Sequence, residues 1–260
     1  MQRLTYYANW DHPRYKVTDL PIQEISHLVY CFLDIDGNDG RVSLSATYAD
    51  IEAIDFDTPP LPDLPYKGAL NQLTRLKREN PVLRTLVAVG GGAETKSGEA
   101  FQQVLASKQK SNVFVESLAQ LIEQYHFDGA DIDFEFPVSR EEGVLLTNHL
   151  LHPLRLRLPK NKYMITVDVP STNWHGQHYD AVGLYKNTDW LNLMTYDYFG
   201  SWSPTTGHHT NLLPQSAANP DNVGLSVQEA VHYWADRGIP PSHLQYALAL
   251  AFFLCYFFGR

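Results

Sequence analysis

The chain has 260 residues, of which 44% are hydrophobic and 19% are charged, as in a folded globular protein rather than a disordered or fibrous one. The formal net charge is −9 and no long basic run occurs, which argues against nucleic acid as a partner and suits an uncharged ligand. The length suits a single domain over residues 1–260, since one barrel of eight strands and eight helices takes about 250 residues.

The predicted elements alternate between strands and helices along the chain. Apolar or β-branched runs typical of strands occur at residues 4–8, 26–33, 83–89, 129–136, 163–169, 190–196 and 245–252. Helical patterns lie between most of them, which predicts parallel strands joined by helical crossovers. We therefore predict an α/β fold of the TIM (β/α)8 type. It is expected to be incomplete, with about seven strands, because the chain ends where an eighth βα unit would begin.

Three of the predicted helices have clear markers. The first carries leucines at residues 70, 73 and 76 and ends at Asn80, because the proline after it disfavours helix in the preceding residue. The second carries an apolar stripe at helical spacing over residues 114–125. The third begins at the capping box formed by Ser226 and Glu229, and it ends at Gly238.

The longest irregular stretch is residues 34–67, which is rich in Asp, Gly and Pro. In a barrel it would elaborate the loop after the second strand, on the face that carries active sites. A tolerated surface insertion is the alternative interpretation.

The ends of the chain and its cysteines give weaker indications. Strand-like residues begin at Leu4, so we expect no secretory signal at the start, whether processing removed one or none existed. The apolar run at residues 248–258 is too short for a membrane-spanning helix, which takes about 20 residues. Cys31 and Cys255 lie in apolar stretches, which is typical of buried free thiols, although a bridge between them stays open.

Acidic and apolar residues alternate along the fourth predicted strand. Because side chains alternate across a strand, Asp131, Asp133 and Glu135 share one face. In a parallel barrel the apolar face packs on the helices and the acids point inward, where they must share protons or hydrogen bonds. Such acids titrate as a coupled set with some pKa values raised, which suits a general acid. Metal binding is the main alternative, but the strand lacks the His or further oxygen ligands that a metal usually recruits.

Residues 128–135, DGADIDFE, resemble the DxxDxDxE signature of glycoside hydrolase family 18, the chitinases and their relatives. Residues 193–202, LMTYDYFGSW, resemble its MxYD motif after the sixth strand. Residues 67–92 resemble the family's second helix and third strand, and residues 226–241 resemble the helix before its seventh strand. The four segments follow one another in the family's order along nearly the whole chain.

The resemblance implies hydrolysis of β-1,4-linked N-acetylglucosamine polymers such as chitin, by a substrate-assisted, retaining mechanism without cofactor or metal. Glu135 would protonate the leaving oxygen and later activate water. Asp133 would orient the substrate acetamide and stabilise the cationic intermediate, while Asp131 would share a proton with Asp133. Tyr196 would hydrogen-bond the acetamide carbonyl. The resemblance also implies sugar contacts by Tyr6, Trp10, Phe32, Met194, Asp197 and Trp202.

The tryptophans and histidines are interpreted from their positions. Trp10 and Trp202 follow strands and are expected at the rim of the site, where rings stack on sugar faces, with surface or core packing as the alternative. Trp174 is a weaker candidate for the same role, and Trp234 is expected in the core because it lies on a helix. The pair His208-His209 is expected to be a solvated pair in a polar loop.

Three departures from the family pattern are expected to have consequences. A serine that hydrogen-bonds the innermost aspartate is usual where this chain has Ala88, so Asp131 is expected to lose a donor. Either a water replaces that donor or the charged form of Asp131 is less favoured. At the end of the seventh strand, Phe258 stands where tyrosine is usual, and Arg260 matches a subsite residue. Without an eighth βα unit the chain is expected to be a fragment, a product of truncation, or a barrel that another chain completes. We expect this form to be less stable and less active than a complete family member.

Two alternatives to a chitinase stay open. A catalytically silent chitin-binding lectin can share the fold, although the retention of Glu135 favours an enzyme. An endo-β-N-acetylglucosaminidase acting on N-linked glycans would use the same chemistry with other subsites. The expected partner is chitin or a chitooligosaccharide, with neither nucleic acid nor membrane involved. The resemblance implies an extracellular location.

Overall fold

The fold is built on a curled sheet of seven parallel strands. The computed structural model describes residues 2–92, 97–204, 206–214 and 225–247. Residue 247 is described without its side chain. The parallel strands are β1 (Leu4–Ala8), β2 (His27–Ile35), β4 (Arg84–Gly90), β5 (Gly129–Asp133), β6 (Met164–Pro170), β7 (Trp190–Met194) and β8 (Leu244–Ala247). They pair in the order β1-β2-β4-β5-β6-β7-β8, and a short β3 (Val42–Leu44) runs antiparallel to β2.

This architecture confirms the predicted incomplete barrel of the (β/α)8 type. All seven predicted strands are present, with ends that differ by a few residues, and residues 248–252 of the last prediction lie outside the described residues. The strand β3 was not predicted. It lies within the irregular stretch at residues 34–67, where pairing with β2 satisfies part of the loop backbone.

The sheet curls until its two outer strands approach each other. Gln245 of β8 donates from Nε2 to Oε1 of Gln2, which precedes β1, at 2.9 Å. Across the interior, Asn192 of β7 donates from Nδ2 to the hydroxyl of Tyr6 in β1 at 3.0 Å. Within the described ranges β1 and β8 do not pair as a ladder, so the sheet forms a half-barrel rather than a closed one.

Helices connect the strands and cover the outer face of the sheet. They are α1 (Gly68–Glu79), α2 (Ser97–Leu105), α3 (Lys108–Gln124), α4 (Arg140–Leu145), α5 (His152–Arg157), α6 (Asn173–Gly176), α7 (Ala181–Asn187) and α8 (Val227–Asp236). Short 3-10 turns occur at Asn9–Asp11, Val17–Asp19 and Pro241–His243, and π-helical turns occur at Tyr48–Glu52 and Leu146–Leu151.

The ends of the predicted helices are confirmed by their caps. Helix α1 ends one residue before Asn80, as the following proline requires. The hydroxyl of Ser226 accepts from the backbone N–H of Glu229 at 3.2 Å and donates to its carboxylate at 2.8 Å, which closes the start of α8. Beyond the other end of this helix, Gly238 adopts a φ of 91°, a conformation that glycine adopts without strain.

The alternation along the strands separates two environments. Ala130, Ile132 and Phe134 are fully buried in the main core, between the sheet and the helices, together with Phe114 and Leu118 of α3. The inner face of the sheet carries a small apolar cluster of Val29, Cys31, Leu86 and Ala88. Other inward-facing positions carry polar side chains, and these form the candidate site.

Cys31 is buried, and burial raises the pKa of its thiol well above the ordinary value. Cys255, and with it the alternative of a bridge to Cys31, lies outside the described residues. None of the described helices has both the length and the apolar character that crossing a membrane would require.

Candidate active site

Four carboxyl groups meet inside the barrel near the carboxyl ends of β5 and β6. Asp131 is fully buried, Asp133 and Asp168 are nearly so, and Glu135 is only half-buried because it follows the end of β5. The three acids of the sequence pattern are therefore brought together as expected. Asp168 is a fourth carboxyl that the sequence interpretation did not include.

Asp131 is the most thoroughly hydrogen-bonded of the four. Its Oδ1 accepts from the hydroxyl of Thr166 and from Nδ2 of Asn192, the latter at 3.0 Å. Its Oδ2 accepts from the hydroxyl of Tyr6 at 3.0 Å. Burial raises the pKa of Asp131, and these donors oppose the rise by stabilising the carboxylate.

These donors take the place of the water that was one expected substitute for a serine at position 88, while the raised pKa of Asp131 agrees with the other expectation, a less favoured charged form. Ala88 does pair with Asp131 across β4 and β5, and it offers no donor. However, the curvature of the sheet brings donors from β1, β6 and β7 to the same carboxylate. Three protein groups therefore solvate Asp131 without any contribution from β4.

Asp133 ends β5 with little compensation for its burial. Its Oδ1 is buried and has no hydrogen-bond partner among the described residues. Burial, followed by the charges of Glu135 and Asp131, raises the pKa of Asp133 well above its ordinary value. This oxygen is therefore an acceptor whose hydrogen bond the described part of the protein does not supply.

The backbone at the end of β4 is shaped to approach Asp133. Gly90 has a φ of 120°, and a Cβ atom there would lie 1.9 Å from the carbonyl oxygen of Asp133. Gly91 donates its backbone N–H to the same carbonyl at 3.0 Å. Both the backbone conformation and the close approach require glycine at position 90.

Glu135 is the most accessible of the acids on β5 and just beyond it. Burial raises its pKa, and the negative charge of Asp197 raises it further. A carboxyl group that stays protonated toward neutral pH and remains accessible can donate a proton to a ligand.

The segment after β7 supplies the other side of the site. Met194 ends β7 and is buried, Tyr196 is partly buried, and Asp197 is exposed with a φ of 55°. Burial raises the pKa of Tyr196, followed by the charges of Asp168 and Asp133, so its hydroxyl stays protonated and able to donate. The Nε2 of His209 lies 3.3 Å from Oδ1 of Asp197.

The expectation that His208-His209 is a solvated pair is therefore wrong for one of its members. His208 is exposed, as expected, whereas His209 is partly buried and contacts Asp197. The loop after β7 folds back over the sheet, and sequence spacing alone does not reveal that return.

Three of the tryptophans considered as candidates are exposed, and Trp234 is buried. Trp10 is 58% exposed and stacks on Phe32 with 5.9 Å between ring centroids, beside a cavity of about 540 Å³. Trp202 and Trp174 are also exposed. Trp234 is fully buried and donates from Nε1 to the carbonyl of Pro170 at 2.9 Å, which confirms its place in the core. Sugar contacts by the exposed rings stay a prediction, and Phe258 and Arg260 lie outside the described residues.

Tyr6 takes part in the site through its hydroxyl. The side chain is 37% exposed, yet the hydroxyl reaches the buried carboxyls of Asp131 and Asp168 at 3.0 Å and 2.7 Å. It therefore supports the inner acids through its hydrogen bonds.

Most of the polar groups that the sequence interpretation missed lie on strands in which polar and apolar residues alternate. Residues 164–170 of β6 alternate Thr166 and Asp168 with three apolar residues, as β5 alternates acids with apolar residues. Asn192 on β7 stands between two leucines in the same way. Tyr179 is a different case, since it follows no strand and its hydroxyl donates to the carbonyl of Phe134 at 2.8 Å. Polar residues at alternate positions of a buried parallel strand were the available signal.

In the part of the chain that the structure describes, no group of three or more His, Cys, Asp or Glu side chains is arranged to hold a metal ion.

Known proteins resemble this chain over nearly its whole length. It is 28% identical over 255 residues to Endochitinase 1 of Metarhizium robertsii, which covers 92% of this chain and 58% of that protein. It superposes on the Group IV chitinase of Ostrinia furnacalis in complex with allosamidin with a TM-score of 0.82 at 28% identity, covering 95% of this chain and 65% of that one.

The fold is also that of the chitinase-like agglutinin of Robinia pseudoacacia, with a TM-score of 0.77 at 23% identity, covering 94% of this chain and 68% of that one. The chain spans about half the length of the curated relatives it matches. The family model described as Glycosyl hydrolases family 18 matches residues 2–254, and the chain belongs to that family.

Proposed function

We propose that the chain is a chitinase-type glycoside hydrolase. It cleaves β-1,4-linked N-acetylglucosamine polymers by substrate-assisted, retaining catalysis, with Glu135 as general acid and base. The observation that carries the proposal is the coupled set of buried carboxyls at the end of β5, with the accessible Glu135 at its outer end, in a member of family 18.

Each group of the site has a chemical task in this mechanism. Glu135, whose pKa is raised by burial and by the charge of Asp197, donates its proton to the leaving glycosidic oxygen. The substrate's acetamido oxygen attacks the anomeric carbon, so no enzyme nucleophile is needed. The free Oδ1 of Asp133 accepts the acetamide N–H, and the positive charge of the oxazolinium ion favours the ionised form of Asp133, which stabilises that ion. Tyr196 donates to the acetamide carbonyl. Glu135 then removes a proton from the water that completes hydrolysis.

The rim residues bind the sugar units on either side of the cleaved bond. Trp10 and Trp202 stack on apolar faces of the sugar rings, because both rings are exposed near the ends of strands. Phe32 and Met194 line the same groove, and Asp197 contacts the sugar at the cleaved bond. Tyr6 contributes the exposed part of its ring. Chitin or a chitooligosaccharide is thus the proposed partner.

Export from the cell and completion of the barrel by a second chain stay predictions. The first follows from the family resemblance alone. The second is tested by the mass of the protein in solution, with a single-chain mass arguing against it.

The test is hydrolysis of a short chitin oligosaccharide by this chain beside the Glu135→Gln variant. Turnover is expected to fall by about 10² to 10⁴, because glutamine cannot transfer the proton. Glu141→Gln is the matched control, since it removes an exposed carboxylate on α4 and leaves the barrel interior unchanged.

Three other outcomes separate the alternatives. Oligosaccharide binding without turnover by the parent chain indicates a lectin. Release of glycans from a glycoprotein, with no attack on chitin oligomers, indicates an endo-β-N-acetylglucosaminidase. Equal turnover by the parent and by Glu135→Gln contradicts the role of Glu135.

A further inference from the structure

Asp168 is a buried carboxyl that the proposed mechanism does not use. It lies on β6, opposite Asn192 of β7, and is 5% exposed. Its Oδ1 lies 2.7 Å from the hydroxyl of Tyr6, and that hydroxyl also lies 3.0 Å from Oδ2 of Asp131. One phenol therefore bridges two buried carboxyl groups.

The hydroxyl of Tyr6 cannot donate a hydrogen bond to two carboxylates at the same time. A phenol has one O–H and donates to one acceptor at a time. The oxygen of Tyr6 already accepts from Nδ2 of Asn192 at 3.0 Å. If both Asp131 and Asp168 were ionised, one of the two short contacts to the phenol would join two acceptors. A proton on one of the two carboxyls removes that conflict.

The two carboxyls differ in how well their charge is stabilised. Asp131 has two further donors, Thr166 and Asn192, which do not depend on the phenol. Asp168 receives the hydroxyl of Tyr6, and its other side-chain hydrogen bond joins it to the carboxyl of Asp131. A buried carboxylate with one shared donor is costly, whereas a protonated carboxyl in the same place can itself donate.

We propose that Asp168 holds the proton of this pair and donates it toward Asp131, so that the acid set of the site has four members. Asp168 is then a positioning residue, which keeps Asp131 ionised and fixed behind Asp133 without adding a second negative charge. The assignment of the proton stands on the geometry alone, and its effect on catalysis rests on the proposed hydrolase function.

The surroundings of Asp168 favour its neutral form. Burial raises the pKa of Asp168 well above its ordinary value, and the charges of Asp131 and Asp133 raise it further. The titratable groups that interact with it come from several elements: Tyr6 of β1, Cys31 of β2, Asp131 and Asp133 of β5, Tyr179 before α7 and Tyr196 after β7. All of them are acids, so none offers a positive charge that would favour ionisation.

The first test uses infrared spectroscopy on the substrate-free chain at neutral pH, with circular dichroism to show that each variant is folded. The difference spectrum between the parent and Asp168→Asn is expected to contain one protonated-carboxyl band that the variant lacks. Absence of that band overturns the proposal, because Asp168 is then ionised. This readout does not depend on turnover, so it decides the proton's position even if the proposed hydrolase function fails.

The second test is the pH profile of kcat/KM on a chitin oligosaccharide. If Asp168 is neutral, Asp168→Asn removes no charge, and the basic limb that reports the proton on Glu135 stays at the parent's pH. If Asp168 is ionised, the variant loses a nearby negative charge, and the basic limb moves to lower pH, which overturns the proposal.

A third test, with a second variant, distinguishes a positioning role of Asp168 from a role in filling space. Asp168→Ala removes the donor that asparagine retains, so its kcat is expected to be about tenfold below that of Asp168→Asn. Equal kcat values for the two variants contradict the positioning role.

Discussion

The inner and outer carboxyls of the site are the same kind of group in two different environments. The inner pair, Asp131 and Asp168, is enclosed and contacted by hydroxyl and amide donors from β1, β6 and β7. The outer pair, Asp133 and Glu135, lies at and beyond the end of β5, and the buried Oδ1 of Asp133 has no partner in the described part of the chain. A buried polar atom without a partner costs free energy, which a ligand's N–H recovers.

The difference separates structural support from chemistry within one set of acids. The inner pair forms its hydrogen bonds with other groups of the protein, so it stabilises the barrel and holds the outer pair in place. The outer pair is available to form hydrogen bonds with the substrate, so it contributes to the reaction at the expense of the stability of the fold. Variants of the two pairs should therefore differ in which property they lose.

The largest expected effect is a loss of kcat in the variant Asp133→Asn. The kcat on a chitin oligosaccharide should fall by about 10² to 10³, because asparagine cannot ionise when the cationic intermediate forms. The free energy of unfolding should not decrease, since the variant replaces a buried, unpaired carboxyl with a neutral amide of the same shape. Steady-state kinetics and urea unfolding measure the two quantities. A loss of stability as large as that of an inner-pair variant would contradict the division of roles.

The next effect is on stability, for Asp131→Ala. Removal of the carboxylate leaves the donors on Thr166, Asn192 and Tyr6 without an acceptor, so the free energy of unfolding should fall by about 3 kcal/mol. Asp131→Asn is the matched control, because its amide oxygen still accepts from these donors, and its loss should be smaller. Equal losses in urea unfolding would show that the donors do not stabilise the fold through Asp131.

The smallest expected effect is a dependence of the free energy of unfolding on pH. The raised pKa values of Asp133 and Asp168 mean that the folded chain keeps protons that the unfolded chain has released. Stability is then highest below the ordinary carboxyl pKa and falls as pH rises toward the raised values, by up to about 1.4 kcal/mol per pH unit for each such group. The parent should show this slope in urea unfolding at several pH values, and Asp168→Asn should flatten it. A parent stability that rises over this range would contradict the pKa directions.

The sequence indicated the acids at residues 129–135 more clearly than it indicated Asp168. Residues 129–135 contain three acids at alternate positions, which is a strong pattern by itself. Residues 164–170 contain one acid and one threonine among apolar residues, and the same alternation there is short and mixed. Asp168 was missed because a single buried acid has no local partner in the sequence to indicate its role.

Much of the framework was predictable for a local reason. Strand and helix positions depend on periodicity within about 5 to 15 residues, and helix ends depend on capping residues such as Ser226 and Gly238. The short strand β3 was not predictable in this way. Its three residues form a strand only because β2 provides a partner.

The sequence by itself determined that the chain forms parallel strands with helical crossovers and that Asp131, Asp133 and Glu135 share a face, because both follow from the period of the side chains. Only the tertiary structure decided that Tyr6 and Asn192, 186 positions apart, meet at the inner carboxyls. It also decided that His209 returns to Asp197. The physical reason is the curvature of the sheet and the return of the loops, which bring distant segments together by packing that no local pattern records.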